Sequence, residues 1–78
     1  MSDPLRNRTA REWIAALERD GFFSRKSKGS HHMYQHGDGR RALVVYHKLS
    51  DTFGAKTIKQ LLTATGWAGS DLKRVRLT

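Results

Sequence analysis

The chain has 78 residues, enough for one domain with one small core, so a shallow surface site is more plausible than a deep cavity. It contains no cysteine, which excludes disulfides, thiolate metal ligands and cysteine nucleophiles. Fifteen Lys and Arg stand against seven Asp and Glu, and the formal net charge is +8. This charge predicts a polyanionic partner, either nucleic acid or an acidic protein, although a basic surface can also serve solubility alone.

No apolar run approaches the ~20 residues that span a bilayer. Residues 1–8 are polar, carry the only proline and lack the apolar middle of a signal peptide. We therefore expect a loose leader over residues 1–8, a single domain over residues 9–78 and a cytoplasmic location.

The first predicted element is a helix over residues 10–20. Thr9 and Glu12 have the spacing of a capping box, in which each side chain accepts a hydrogen bond from the other residue's backbone N–H. Gly21 suits the end of the helix. Apolar residues recur at helical spacing at Ala10, Trp13, Ile14 and Leu17.

Three short strands are predicted next, over residues 22–26, 31–36 and 41–47. Turn-forming residues separate them at 27–30 and 37–39, so the strands should form an antiparallel meander. Consecutive Phe22 and Phe23 predict one ring in the core and one partly exposed, because side chains alternate along a strand.

A second amphipathic helix is predicted from Ala55 to Thr65, ending at Gly66, after a polar loop. Ser70 could cap a last short turn. The order is helix, three strands, helix, which indicates an α+β fold with a three-stranded antiparallel sheet and two helices on one face. That arrangement resembles the double-stranded-RNA-binding fold.

The segment from Arg25 to His36 carries the most chemical information. The cations Arg25, Lys26 and Lys28 precede or enter a turn that contains Gly29, and histidines follow it. Strand alternation places His31, Met33 and Gln35 on one face and His32, Tyr34 and His36 on the other. Each set mixes polar and apolar groups, so the sequence leaves open which face packs against the helices.

Metal-free RNA cleavage needs a base for the 2′-hydroxyl proton and positive charge for the phosphorane. Histidine suits the first role because an imidazole gains and loses a proton near neutral pH. Lys26, Lys28 and the Gly29–Ser30 backbone suit the second. A surface histidine without any catalytic role remains the alternative.

A zinc site is not expected, although the chain has four histidines. His32 and His36 would lie about 13 Å apart on a strand, too far to share one ion. Trp13 and Trp67 are interpreted as core packing rather than base-stacking platforms. The basic C-terminal half is interpreted as a solvated face that could extend a phosphate-binding surface, with Lys56, Lys59, Lys73, Arg74 and Arg76.

Two motifs resemble the HicA toxins, also called YcfA-like proteins. The first is Gly21-Phe22, a basic strand, and then Lys28-Gly29-Ser30-His31-His32. The second is Thr57-Ile58-Lys59-Gln60-Leu61-Leu62, followed by Thr65-Gly66-Trp67 and Asp71-Leu72. The resemblance covers roughly residues 9–76.

The resemblance implies a toxin of a type II toxin–antitoxin module that cleaves mRNA, with His31 as the catalytic histidine. It also implies an α-β-β-β-α fold and a HicB antitoxin that covers the active site, and we expect no cofactor or metal. His47 matches the family's second histidine, with a structural or RNA-positioning role. Two positions differ from the family pattern: Tyr46 stands where a proline is frequent, and Lys56 where a glycine is common.

Three hypotheses therefore follow from the sequence. The first is a ribonuclease toxin that uses His31, with phosphate contacts from Arg25, Lys26, Lys28, the Gly29–Ser30 backbone and Lys59. The second is a non-catalytic module that binds double-stranded RNA through the same basic surface. The third is a basic domain that binds only an acidic protein.

Overall fold

A computed structural model describes residues 4–78 and confirms the expected α+β fold. Its main elements are α1 (Ala10–Asp20), β1 (Phe22–Lys28), β2 (His31–His36), β3 (Arg41–Val45), α2 (Ala55–Thr65) and α3 (Gly69–Arg74). The central strand β2 pairs antiparallel with both β1 and β3. Over these described residues, no helix has the length and apolar character to cross a membrane.

The ends of α1 follow from the residues predicted to set them. The Thr9 hydroxyl accepts from the Glu12 N–H at 3.3 Å, and the Glu12 carboxylate accepts from the Thr9 N–H at 3.0 Å, which confirms the capping box. Gly21 ends α1 with φ of 101°, and Gly66 ends α2 with φ of 73°. Both values lie in the left-handed region that favours glycine.

The core lies between the two long helices and one face of the sheet. Trp13 and Trp67 stack at its centre with ring centroids 6.1 Å apart, and their exposed fractions are 0% and 6%. Both rings are therefore core residues, as expected. Phe22 is 3% exposed and Phe23 48%, so the expected division of this pair is also confirmed.

The strand and cap boundaries differ from the sequence prediction in three places. β1 continues to Lys28, which leaves only Gly29–Ser30 in the turn. β3 ends at Val45: the Tyr46 N–H still donates to the Ser30 carbonyl at 3.0 Å, but the N–H groups of His47 and Lys48 donate to the Asp51 carboxylate at 2.9 and 3.1 Å. The Ala68 N–H donates to Asp71 at 2.9 Å, so Asp71 rather than Ser70 caps α3.

The expected loose leader is wrong for residues 4–8, and residues 1–3 lie outside the described part. Pro4–Asn7 form a short 3-10 helix, and Leu5 is only 5% exposed within the core. The Arg8 guanidinium donates to the Leu77 carbonyl at 2.9 Å and to Glu12 at 2.7 Å. Residues 1–8 contain only two apolar side chains, Met1 and Leu5, which give no periodicity, so the sequence pattern could not reveal this packing.

Candidate functional site

Tyr34 determines which face of β2 carries His31. Tyr34 is 7% exposed and packs with the core under the helices, so its neighbours at even spacing, His32 and His36, share that side. His31 therefore lies on the opposite side of the sheet. Among residues 4–78, α2 borders this side at β3, through Thr57, Gln60 and Ala64, and leaves the part around His31 uncovered. The His31 side chain is exposed, and within residues 4–78 it has no hydrogen-bond or ion-pair partner.

A β-bulge in β1 brings two lysines to the same side as His31. Ser24 pairs with Tyr34, and the next pair is Lys26 with Met33, which leaves Arg25 as the extra residue. Simple alternation from the buried Phe22 would have put Lys26 and Lys28 under the helices. The bulge reverses this phase, so both lysines lie beside β2 residues of the uncovered side.

We call this uncovered side the open face. Strand register arranges its residues in three rows across the sheet: Lys28, His31 and Val45; Lys26, Met33 and Leu43; Phe23, Gln35 and Arg41. The apolar members Leu43 and Val45 are 44% and 40% exposed. The face therefore combines cations, one histidine and uncovered apolar side chains.

His31 lies in a shallow depression of about 220 Å³, lined by Lys26, Lys28, His31, Met33 and Leu43. We call it the His31 depression. No acidic residue occurs in any of the three strands. Among the described residues, neither lysine forms an ion pair. Their charge is therefore uncompensated, which makes the depression a favourable place for an anion.

Gly29 and Ser30 form the two-residue turn between β1 and β2. Gly29 has φ of 59° at the first central position, the geometry of a type II′ hairpin turn. Within the described chain, neither residue's N–H donates to a protein acceptor. The two residues line a different depression, together with His32, Tyr46 and His47, so the turn lies between that site and the His31 depression.

His32 and His36 are held on the helix side by other groups. The His32 ring stacks on Tyr46 with centroids 4.0 Å apart, and its Nδ1 shares a short hydrogen bond with the Ser27 hydroxyl. His36 Nδ1 accepts from the Asp38 N–H at 3.1 Å, so the opposite nitrogen, Nε2, donates to the Asp20 carbonyl at 2.7 Å. Within residues 4–78, no three His, Asp or Glu side chains are grouped as metal ligands would be.

Asp20 takes up some of the positive charge of the C-terminal half. Its carboxylate, 8% exposed, pairs with Arg74 at 2.7 Å and Arg40 at 3.1 Å and accepts from Trp67 Nε1 at 3.0 Å. Burial raises the pKa of Asp20, but hydrogen bonds from Trp67 and Arg74 outweigh it and hold the pKa below its ordinary value. Arg74 is thus engaged in structure rather than open to phosphate.

Lys59 lies outside the His31 depression. It is exposed on α2 beside Lys56, Gln60, Thr63 and Ala64. Arg25, the bulge residue, is also exposed but is not part of the wall of the His31 depression. The structure thus brings Lys26, Lys28 and His31 together and leaves the other expected phosphate contacts around them.

Sequence reasoning missed a larger depression, of about 440 Å³, beside the His31 depression. We call it the β3–α2 depression; it is lined by Met33, Arg41, Leu43 and Val45 from the sheet and by Thr57, Gln60 and Ala64 from α2. It shares Met33 and Leu43 with the His31 depression, so the two adjoin at these side chains. The signal in the sequence was the pair Leu43 and Val45, which alternate with buried Ala42 and Val44.

Comparison with known proteins identifies one family. Residues 10–67 match the family described as HicA toxin of bacterial toxin–antitoxin systems. The matched segment runs from α1 to Trp67 and so includes the whole sheet and His31. No curated protein matches this chain.

Proposed function

The chain belongs to the HicA toxin family of bacterial toxin–antitoxin systems, and we propose that it is a metal-independent ribonuclease that cleaves mRNA and thereby inhibits translation. Family membership supports the toxin role and implies an antitoxin partner. The observation that carries the ribonuclease proposal is the exposed ring of His31, without a partner among residues 4–78, beside two uncompensated lysines of β1.

In this proposal His31 moves a proton at the scissile phosphate. As general base it takes the proton from the 2′-hydroxyl; the 2′-oxygen then bonds to phosphorus while the bond to the 5′-oxygen breaks. The products are a 2′,3′-cyclic phosphate and a 5′-hydroxyl, which takes up a proton as it leaves. His31 could serve as the acid in that last step.

Phosphate contacts surround this imidazole. Lys26 and Lys28 line the same depression and stabilise the charge that develops on the phosphorane. The free N–H groups of Gly29 and Ser30 suit a neighbouring phosphate at the turn. We assign Arg25 and Lys59, which are exposed further out, to the flanking backbone of the RNA.

We propose a HicB-like protein as the antitoxin partner and the open face as its docking surface. Leu43 and Val45 expose apolar area there, and apolar area beside cations is typical of a surface that a partner covers. An antitoxin on this face would block His31 directly. The proposal requires the protein to act in the cytoplasm, where mRNA is translated.

The test compares His31→Ala with His32→Ala. Both variants remove an imidazole from β2, but only the first removes it from the open face. We expect His31→Ala to fold and to lose cleavage by about 10²–10⁴-fold, the usual effect of one acid–base group. His32→Ala should keep most activity. Cleavage is followed on RNA in EDTA, and growth inhibition is followed in cells; undiminished activity of His31→Ala contradicts the proposal.

The same assay separates the two other hypotheses. A gel shift without RNA fragments supports a non-catalytic RNA-binding module, whose affinity falls steeply with salt. No RNA affinity even at low salt supports a domain whose charge serves only an acidic protein.

A further inference from the structure

The β3–α2 depression has the composition of a site for one flat, partly apolar group. The exposed side chains of Leu43 and Val45 form its apolar floor. Polar groups at its border come from Arg41 on the sheet and from Thr57 and Gln60 on α2. A nucleobase has the matching chemistry, with apolar faces and hydrogen-bonding edges.

The β3–α2 depression lies next to the proposed reaction centre at His31. Val45 lies directly opposite His31 in the register of β2 and β3, which puts their Cα atoms about 5 Å apart. Met33, two residues from His31, belongs to both depressions and lies about 7 Å along the strand. A base in the β3–α2 depression therefore adjoins a phosphate at His31.

Charge favours a nucleic acid as the occupant. Among residues 4–78, no acidic residue lines either depression, and the cations Lys26, Lys28 and Arg41 lie at their borders. Within the described chain, Arg41 makes no ion pair, so its guanidinium can contact a phosphate or stack on a base. The backbone of an RNA strand meets attraction along this whole path.

The apolar floor of the depression also favours single-stranded over double-stranded RNA. Base faces are stacked and base edges are paired inside a duplex, so only an unpaired nucleotide can place its base on Leu43 and Val45. Gln60 offers both an amide donor and an amide acceptor, which suits the edge of an unpaired base.

From these observations we propose that the β3–α2 depression is a nucleobase subsite that selects the nucleotide next to the cleaved phosphate in single-stranded RNA. This inference rests on the proposed ribonuclease function, because it places the base beside the phosphate that is cleaved. Binding of the base itself can be measured separately. Leu43 and Val45 support the base from below, and Gln60 discriminates its edge.

The test uses Gln60→Ala and Leu43→Asp in the full chain, with Thr63→Ala as the matched control. Thr63 is exposed on the same helix but is not among the residues that line this depression, and its hydroxyl donates to the Lys59 carbonyl at 2.9 Å. Cut sites are mapped on a pool of single-stranded RNA oligonucleotides. We expect Gln60→Ala to lower base preference beside the cut about tenfold, the effect of one lost hydrogen bond.

Leu43→Asp should lower kcat/KM by about tenfold or more for all sequences, because it puts a negative charge on the floor. Thr63→Ala should cut like the wild type. If Gln60→Ala and Leu43→Asp both match Thr63→Ala in preference and in kcat/KM, the subsite proposal is wrong. It is equally wrong if these two variants lose only antitoxin binding, since the surface then belongs to the protein partner.

Binding is measured in parallel, by fluorescence anisotropy of labelled single-stranded oligonucleotides of differing base composition, in a His31→Ala background. Base-dependent affinity that Gln60→Ala reduces supports the subsite, even if the wild type cuts no RNA and the ribonuclease proposal fails. Cleavage by the wild type without any dependence on the neighbouring base overturns the subsite and leaves the ribonuclease proposal standing.

Discussion

Lys28 and His31 lie directly opposite each other in the register of β1 and β2, and both side chains are on the open face. They are the last and first strand residues around the Gly29–Ser30 turn, whose left-handed glycine keeps the turn to two residues. Cα atoms of such a pair are about 5 Å apart. An anion that contacts one of the two side chains is therefore within reach of the other.

Removing the Lys28 charge should weaken catalysis without affecting folding, because the side chain is exposed and forms no ion pair within the described residues. We expect Lys28→Ala to lower kcat/KM for RNA about ten- to a hundredfold, the effect of one charge-assisted contact. The slope of log affinity against log salt should fall by about 0.7, the value for one phosphate contact with a single strand.

The control for this prediction is Lys73→Ala, which removes an equal charge from α3, outside the sheet. It should leave kcat/KM nearly unchanged. Equal effects of the two substitutions would mean that only net charge matters and that Lys28 has no specific contact.

Asp20 should make the stability of the protein depend on pH in acid. Its pKa is lowered in the folded state from an ordinary value of 3.8. Its stabilising contribution is therefore complete above about pH 3.8 and is lost as the pH falls through the lower folded-state pKa. We expect Asp20→Asn to lower the free energy of unfolding by about 1–3 kcal/mol at pH 7 and by less below about pH 3.8.

Urea denaturation at pH 7 and pH 3 measures this difference, with Glu18→Gln as the control. Glu18 lies on the same helix, is exposed and forms no ion pair within residues 4–78. Its substitution should change stability by less than about 0.5 kcal/mol. A gap between wild type and Asp20→Asn that stays constant with pH would contradict the role assigned to the Asp20 charge.

Two helix-ending glycines should respond differently to alanine. Both have positive φ, so each substitution carries a left-handed strain of about 1–2 kcal/mol. A Cβ at Gly21 would also lie 3.0 Å from His36 Nε2, whereas a Cβ at Gly66 would meet nothing within 4 Å. We expect Gly21→Ala to cost about 1 kcal/mol more than Gly66→Ala in thermal unfolding, because it displaces His36 from Asp20. Equal losses would show that the imidazole moves away without cost.

Leu5 should contribute to stability although it lies before the predicted domain. Leu5→Ala removes a side chain that is 5% exposed in the core, and we expect a loss of about 2 kcal/mol in the free energy of unfolding. Arg6→Ala, at an exposed neighbour, should change it by less than about 0.5 kcal/mol. If both variants unfold with the same midpoint, the 3-10 helix does not support the core in solution.

Local chemistry was sufficient to predict most of the elements. The Thr9–Glu12 pair, the left-handed glycines and the 3.6-residue periodicity each act within one element, so α1 and α2 agree with the prediction to the residue. Strand β2 was predicted equally well. The 3-10 helix was missed because the contact beside it, from Arg8 to Leu77, joins distant parts of the chain. The ends of β1 and β3 were missed because Lys28 pairs with His31 and because the Asp51 carboxylate accepts from the His47 N–H.

The candidate site was harder to predict because it depends on which face of the sheet each strand side chain occupies. The alternation on β2 was visible in the sequence, but the face was set only by packing of Tyr34 under the helices. The bulge at Arg25 has no sequence signature, and it reverses the side taken by Lys26 and Lys28. Gln60 joined the site because α2 packs beside β3, which is a tertiary contact.

The consecutive residues His31 and His32 lie on opposite faces of the sheet. The tight Gly29–Ser30 turn and the pairing of Tyr34 fix this arrangement. His31 faces solvent on the cationic open face, whereas His32 lies on the helix side and stacks on Tyr46. A strand cannot rotate one imidazole into the position of its neighbour without reversing every other side chain as well. If His31 has the role proposed for it, His32 could not replace it, and a single missense change at His31 would remove that role.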